Sequence, residues 1–172
     1  PIIEKPNLYN PETGYISTAN QNVTPEDYDK WEAIGFDWAD PYRGERINRV
    51  LESKDKFNLK EMLELQVDYY SIPSEKIIAL SSGLISNNIE YFSMLEKWDK
   101  KLSKSSVEAG IYIEWQNQLI DEISKKFIPE IVKEYLSMQL FTVIDKISKM
   151  NVDERKGLLN KTFNSSIDNL KE

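Results

Sequence analysis

Apolar side chains recur at helical spacing along most of the chain. Ile111, Trp115, Leu119, Ile123 and Phe127 follow one another at i, i+4. That spacing predicts a long helix starting at Ser105 or Ser106 and interrupted at Pro129. Ile47, Val50 and Leu51 mark an earlier helix, from Pro41 to about Ser53. Asn58-Leu-Lys-Glu61 has the form of a capping box, with Leu59, Met62, Leu63, Val67 and Tyr70 as the face expected to be buried. Pro73-Ser-Glu75 opens a helix carrying Ile77, Ile78 and Leu80, and Asn87 or Asn88 caps another through Trp98. Ile131 to Met150 reads as a helix. Asn151-Val-Asp-Glu154 repeats the capping pattern before a last one with Leu159, Phe163, Ile167 and Leu170.

The first forty residues break this rhythm. Asn10-Pro-Glu-Thr-Gly14 is turn chemistry: proline presets φ and glycine tolerates φ > 0. Tyr15-Ile-Ser-Thr18 is aromatic and β-branched, which predicts a strand. It ends in the carboxamide cluster Ala19-Asn20-Gln21-Asn22. Thr24-Pro-Glu-Asp27 predicts a short helix through about Ala33, broken at Gly35. Asp40 and Pro41 then provide an N-cap and a first helical position. Arg43 falls in the first turn, where a cation opposes the helix dipole, so another interaction is expected to hold it there. Gly44 weakens the same turn. The expected fold is mainly α with a small N-terminal β element. Residues 1–40 form a lead-in of turn, strand and short helix, and residues 41–172 a helical region.

Composition narrows the chemistry. The 172 residues suit one domain or part of one, and the net charge of −7 argues against nucleic acid and anionic membranes as partners. No apolar run reaches the length of a membrane span. No signal peptide is visible, and a first residue of Pro1 is expected of a piece of a longer chain. With no Cys and no His, the usual zinc sites and His-dependent nucleophiles are excluded. No Ser lies in a G-x-S-x-G elbow. The absence of cysteine suits the periplasm and the cytosol equally. Glu12, Glu26, Asp27 and Asp29 read as solvated charges rather than a glycosidase pair. The glycosylation-type triplets at Asn22, Asn160 and Asn164 read as chance matches.

The opening carries a more specific pattern: Asn10-Pro11, Gly14-Tyr15-Ile16, Thr18-Ala-Asn-Gln-Asn22, Thr24-Pro25, Asp37-Trp-Ala39, Pro41-Tyr-Arg43 and Glu45-Arg-Ile47. In these residues the chain resembles the penicillin acylase family of N-terminal-nucleophile hydrolases, in the middle of their β chain. Weaker similarity continues to about residue 130.

The resemblance implies an amide hydrolase of αββα fold, made as a self-cleaving precursor, whose new N-terminal serine is nucleophile and whose α-amine is base. By the same resemblance, Asn20 corresponds to the side-chain donor of the oxyanion hole, and Arg43 to the residue that positions it. The implied partners are the rest of the precursor and a small-molecule amide. The implied setting is the periplasm or exterior of a bacterium. No cofactor is required for the chemistry.

Some members bind calcium. Asp27, Asp29 and Glu32 are the acids nearest the motif, none matches a family ligand, and a solvated acidic helix is the plainer expectation. Because Pro1 cannot replace an N-terminal serine, the chain alone is expected to be inert. Its strand Tyr15–Thr18, without sheet neighbours, is expected to promote self-association. The alternative is a non-enzymatic all-α interaction domain whose opening mimics the motif. The two differ at Asn20: an outward-facing carboxamide backed by Arg43 suits the acylase, and one sealed in a turn far from Arg43 suits the alternative.

Overall fold

The computed structural model describes residues 5–30, 34–35 and 37–171. The chain divides into two compact units, 1–68 and 69–172.

The first unit begins with an extended lead-in. A turn closes through the Gly14 N–H donating to the Pro11 carbonyl at 3.0 Å, with Gly14 at φ +74°. Helix α1 spans Tyr42–Leu51 and α2 spans Leu59–Gln66. Tyr42 and Gly44 are the buried positions of α1. Arg46 anchors α1 to the end of the unit through Asp68 at 2.6 Å, with both side chains largely covered. The capping box opens α2 as its sequence predicts. The Glu61 N–H donates to Asn58 Oδ1 at 3.0 Å, and the Asn58 N–H to Glu61 Oε2 at 2.9 Å.

Three expectations for this unit need correction. Tyr15–Thr18 is not a strand, and no β-strand, sheet or αββα sandwich is present among the described residues. A strand needs a partner for its backbone groups, and here the side chains do the docking instead. The Tyr15 hydroxyl donates to Glu52 at 3.1 Å, and the Ser17 hydroxyl to Asn48 on α1. β-propensity alone does not make a ladder, and the unpaired edge expected to drive self-association is not formed. Second, α2 buries none of its residues; Leu59 is 77% exposed. Third, residues 25–30 form turns, with the Tyr28 N–H donating to the Pro25 carbonyl at 3.1 Å, rather than a helix. The end of that expected helix, residues 31–33, lies outside the described residues.

The second unit is built of helices joined by loops: α3 (Ile72–Ser81), α4 (Ile89–Lys97), α5 (Val107–Phe127), α6 (Leu140–Lys149) and α7 (Val152–Asn169). Helix α5 is the spine. It packs against α4, α6 and, most extensively, α7. Of the predicted stripe, Ile111, Trp115, Leu119 and Ile123 are buried but Phe127, at the end of α5, is 45% exposed; Leu159, Phe163 and Ile167 of α7 are buried but Leu170, just past its end, is 51% exposed. Trp115 meets Phe163 at 4.9 Å between ring centroids and Phe92 of α4 at 6.1 Å, both edge-on, the arrangement that aromatic quadrupoles favour.

Several polar groups inside this core are paired, whereas the buried Trp98 indole N–H has no hydrogen-bond partner among the described residues. The Trp115 indole N–H donates to Thr162 Oγ1 at 3.0 Å, and the Ser166 and Ser81 hydroxyls donate back to Phe163 and Ile77 carbonyls at 2.7 Å. Ser106 and Asn151 cap α5 and α7 from their side chains. Lys100, at φ +65°, closes α4 from beyond its end by donating to the carbonyls of Leu95, Glu96 and Trp98. A cation among C-terminal carbonyls opposes the negative end of the helix dipole.

One helix was expected from Ile131 to Met150. Instead a 3₁₀ turn at Glu130–Val132 leads into irregular chain, and α6 starts only at Leu140. Pro129 leaves no N–H to continue α5, and Ile131, at 87% exposure, has no core to bury against. Packing, rather than propensity, stabilises most short helices, and it is missing here. No described helix is long and apolar enough to cross a membrane.

Trp115→Ala should lower stability by about 3–5 kcal/mol in urea unfolding. Thr162→Val, which leaves the buried indole N–H unpaired, should cost about 1–3 kcal/mol. Adding Thr162→Val to Trp115→Ala should then cost much less than it does alone, because the group it served is gone.

Candidate functional site

The carboxamide cluster folds into a tight bend against α1. Ala19 is buried, and Asn20 sits at φ +65°, a left-handed conformation that asparagine tolerates better than most side chains. Four hydrogen bonds hold the bend. The Asn20 carbonyl accepts from the Ala39 N–H at 2.8 Å. The Ala19 N–H donates to Gln21 Oε1 at 2.6 Å. Arg43 Nη2 donates to the Ala19 carbonyl at 2.8 Å and to Asn20 Oδ1 at 2.9 Å.

Arg43 therefore occupies its unfavourable place in the first turn of α1 because that turn faces the bend. The bond to Oδ1 also decides how the carboxamide is turned. A guanidinium only donates, so the carboxamide oxygen must face it and the NH₂ must point away. Nδ2 has no hydrogen-bond partner among the described residues, and Asn20 is exposed. The arrangement offers a neutral, oriented N–H donor at the surface of the first unit. Such a group can stabilise negative charge developing on a carbonyl oxygen.

Gln21 and Gly44 do more here than their sequence positions suggest. A Cβ on Gly44 would overlap the Gln21 side chain, standing 2.5 Å from Cδ and 2.9 Å from Oε1. The glycine that weakens the first turn of α1 is the one that lets the Gln21 carboxamide lie against it. In sequence, the available signal was an unexplained glycine one residue beyond an unexplained arginine. Beside the bend, the first unit holds an open groove of about 1210 Å³, lined by Tyr15, Ser17, Gln21, Trp38, Gly44 and Asn48 among others. Asn20 and Arg43 do not line it. Partial burial first, and then the Glu52 carboxylate, push the Tyr15 phenol above its ordinary value.

No group of three Asp or Glu converges among the described residues, and Glu32 lies outside them.

The penicillin amidase family profile matches residues 1–172. The chain belongs to the penicillin amidase family. It is also similar to a protein named acyl-homoserine lactone acylase QuiP from Pseudomonas fluorescens (strain Pf0-1), at 29% identity over 119 residues. That match covers 59% of this chain and 14% of the relative.

Arg43→Leu removes both bonds that Nη2 makes to the bend. It should lower stability by about 1 kcal/mol, as expected for partly exposed charge-assisted bonds. It should also speed hydrogen exchange at the Ala39 N–H, whose acceptor is the Asn20 carbonyl.

Proposed function

We propose that this chain supplies part of the active site of an amide-bond hydrolase, with Asn20 as oxyanion donor and Arg43 as its positioning residue. The observation that carries the reading is the 2.9 Å bond from Arg43 to Asn20 Oδ1, which turns Nδ2 away from the guanidinium and leaves it without a described partner. When a nucleophile attacks an amide carbonyl, charge accumulates on the oxygen. A fixed N–H bonds that oxygen more strongly in the transition state than in the ground state. The donor is neutral and needs no proton transfer, so its contribution does not vary with pH near neutrality. The nucleophile is an N-terminal serine elsewhere in the parent enzyme, with its α-amine as base. Substrates are amides that carry an acyl group, in keeping with a relative named as an acylase. The partners are the other segments of the precursor, in the periplasm or outside the cell, and no cofactor takes part in the chemistry.

A second reading, a helical interaction domain with no part in chemistry, is favoured by the architecture. The described residues contain no strand, and the second unit is a helical bundle with its own core. On architecture alone this reading is the better supported. The orientation of Asn20 is what supports the first.

The two separate in a double-mutant cycle in the full-length parent enzyme, with folding and self-cleavage scored independently. Asn20→Ala should lower kcat by about 10²–10³. Arg43→Leu should lower it by a smaller factor, and the double variant should be little worse than Asn20→Ala, since an absent donor cannot be misaimed. Near-normal kcat in Asn20→Ala would favour the interaction domain.

A further inference from the structure

We propose that Gln21 is a second positioning residue for Asn20, and that position 44 is glycine because the Gln21 side chain occupies the space a Cβ would take. The inference rests on the proposed donor role of Asn20 for its catalytic consequence, but its structural content stands apart from that role.

The bend at Ala19–Gln21 presents two backbone acceptors and one backbone donor that matter. Arg43 and the Ala39 N–H serve the two acceptors, the carbonyls of Ala19 and Asn20. Both lie on chain that follows the bend by about twenty residues. The donor, the N–H of buried Ala19, is served by Gln21 Oε1 at 2.6 Å. Gln21 thus folds back over the residue whose side chain is at issue and closes a local ring around it. If that acceptor is lost, a buried N–H is left unpaired, which the backbone relieves by leaving the bend. Asn20 is the residue at φ +65°, so it is the one whose side-chain direction changes when the bend relaxes.

Gly44 fixes where Gln21 lies. It is buried in the first turn of α1, one residue after Arg43, and the Gln21 carboxamide rests directly on it. Arg43 and Gly44 therefore act on Asn20 from adjacent positions of the same turn. One grips its side-chain oxygen, and the other makes room for the side chain that holds its backbone.

The test uses the full-length parent enzyme with Gln21→Met, Gln21→Glu and Gly44→Ala, beside Asn20→Ala. Methionine keeps the length of glutamine and lacks the acceptor, whereas glutamate keeps it. The readouts are kcat and KM on an N-acyl amide, and hydrogen exchange at the Ala19 and Ala39 amides. Exchange can be read on unprocessed precursor, so variants that fail to self-cleave still report.

Gln21→Met and Gly44→Ala should lower kcat by about 10- to 100-fold with KM little changed, as expected of a misplaced group. Exchange should be faster at both amides in these two variants, whereas Gln21→Glu, which keeps the acceptor, should retain most of the parental kcat and protection. Parental kcat and exchange in Gln21→Met would overturn the inference. A Gln21→Glu variant as impaired as Gln21→Met would overturn it too, because the acceptor would then not be what matters. If Asn20→Ala keeps full kcat while Gln21→Met still loses exchange protection, the donor role fails and the control of the bend stands.

Discussion

The first unit depends on one guanidinium. Arg43 reaches from the first turn of α1 to the Ala19 carbonyl and to Asn20 Oδ1, joining two stretches of chain that have no sheet or helix pairing to join them. Without a ladder, an extended segment has to satisfy its polar groups piecemeal, and the carboxamides, hydroxyls and planar cations here do so. Gln21 serves a backbone N–H, Ser17 and Tyr15 reach α1 and its end, and Ala39 closes on Asn20. The helix dipole is worth only a few tenths to about 1 kcal/mol at an exposed position, less than the charge-assisted bonds that Arg43 makes there. An arginine at a helix N-terminus is thus explained by what lies in front of the helix.

The second unit is held by a different force. Its spine, α5, turns Trp115 into a cluster with Phe92 and Phe163, and Ile111, Leu119 and Ile123 of α5 and Leu159 and Ile167 of α7 are buried in the same core. Burial of these side chains drives the packing, and the Ser81, Thr162 and Ser166 hydroxyls carried into the core return their protons to carbonyls of their own helices. Such a unit needs no chemistry beyond its own stability. The proposed catalytic contribution belongs wholly to the first unit, where fewer residues are buried and more of the order comes from hydrogen bonds.

Membership of the penicillin amidase family is carried by the whole chain, whereas a role for Asn20 is carried by a few atoms. These are separate kinds of support. Family membership says which proteins the chain is related to. The carboxamide's orientation says what this stretch can do at a reacting carbonyl, and it follows from a donor-only neighbour whatever the family.

Much of the helical unit was legible from residue pattern alone. Strict i, i+4 spacing marks the buried face of α5, and Ser106, Asn58 and Asn151 mark helix starts, because periodicity and capping are local properties of the chain. Arg43 was legible as an anomaly, and Asn20 through the motif around it. Other features were decided only by tertiary structure. Tyr15–Thr18 has strand propensity but no strand, because a ladder depends on a partner that local sequence does not specify. Leu59 and Ile131 have apolar side chains but little burial, because burial depends on what packs opposite them. The contact between Gln21 and Gly44 was invisible for the same reason. Each is ordinary alone, and only the approach of residue 21 to residue 44 makes one an acceptor in place and the other a necessary glycine.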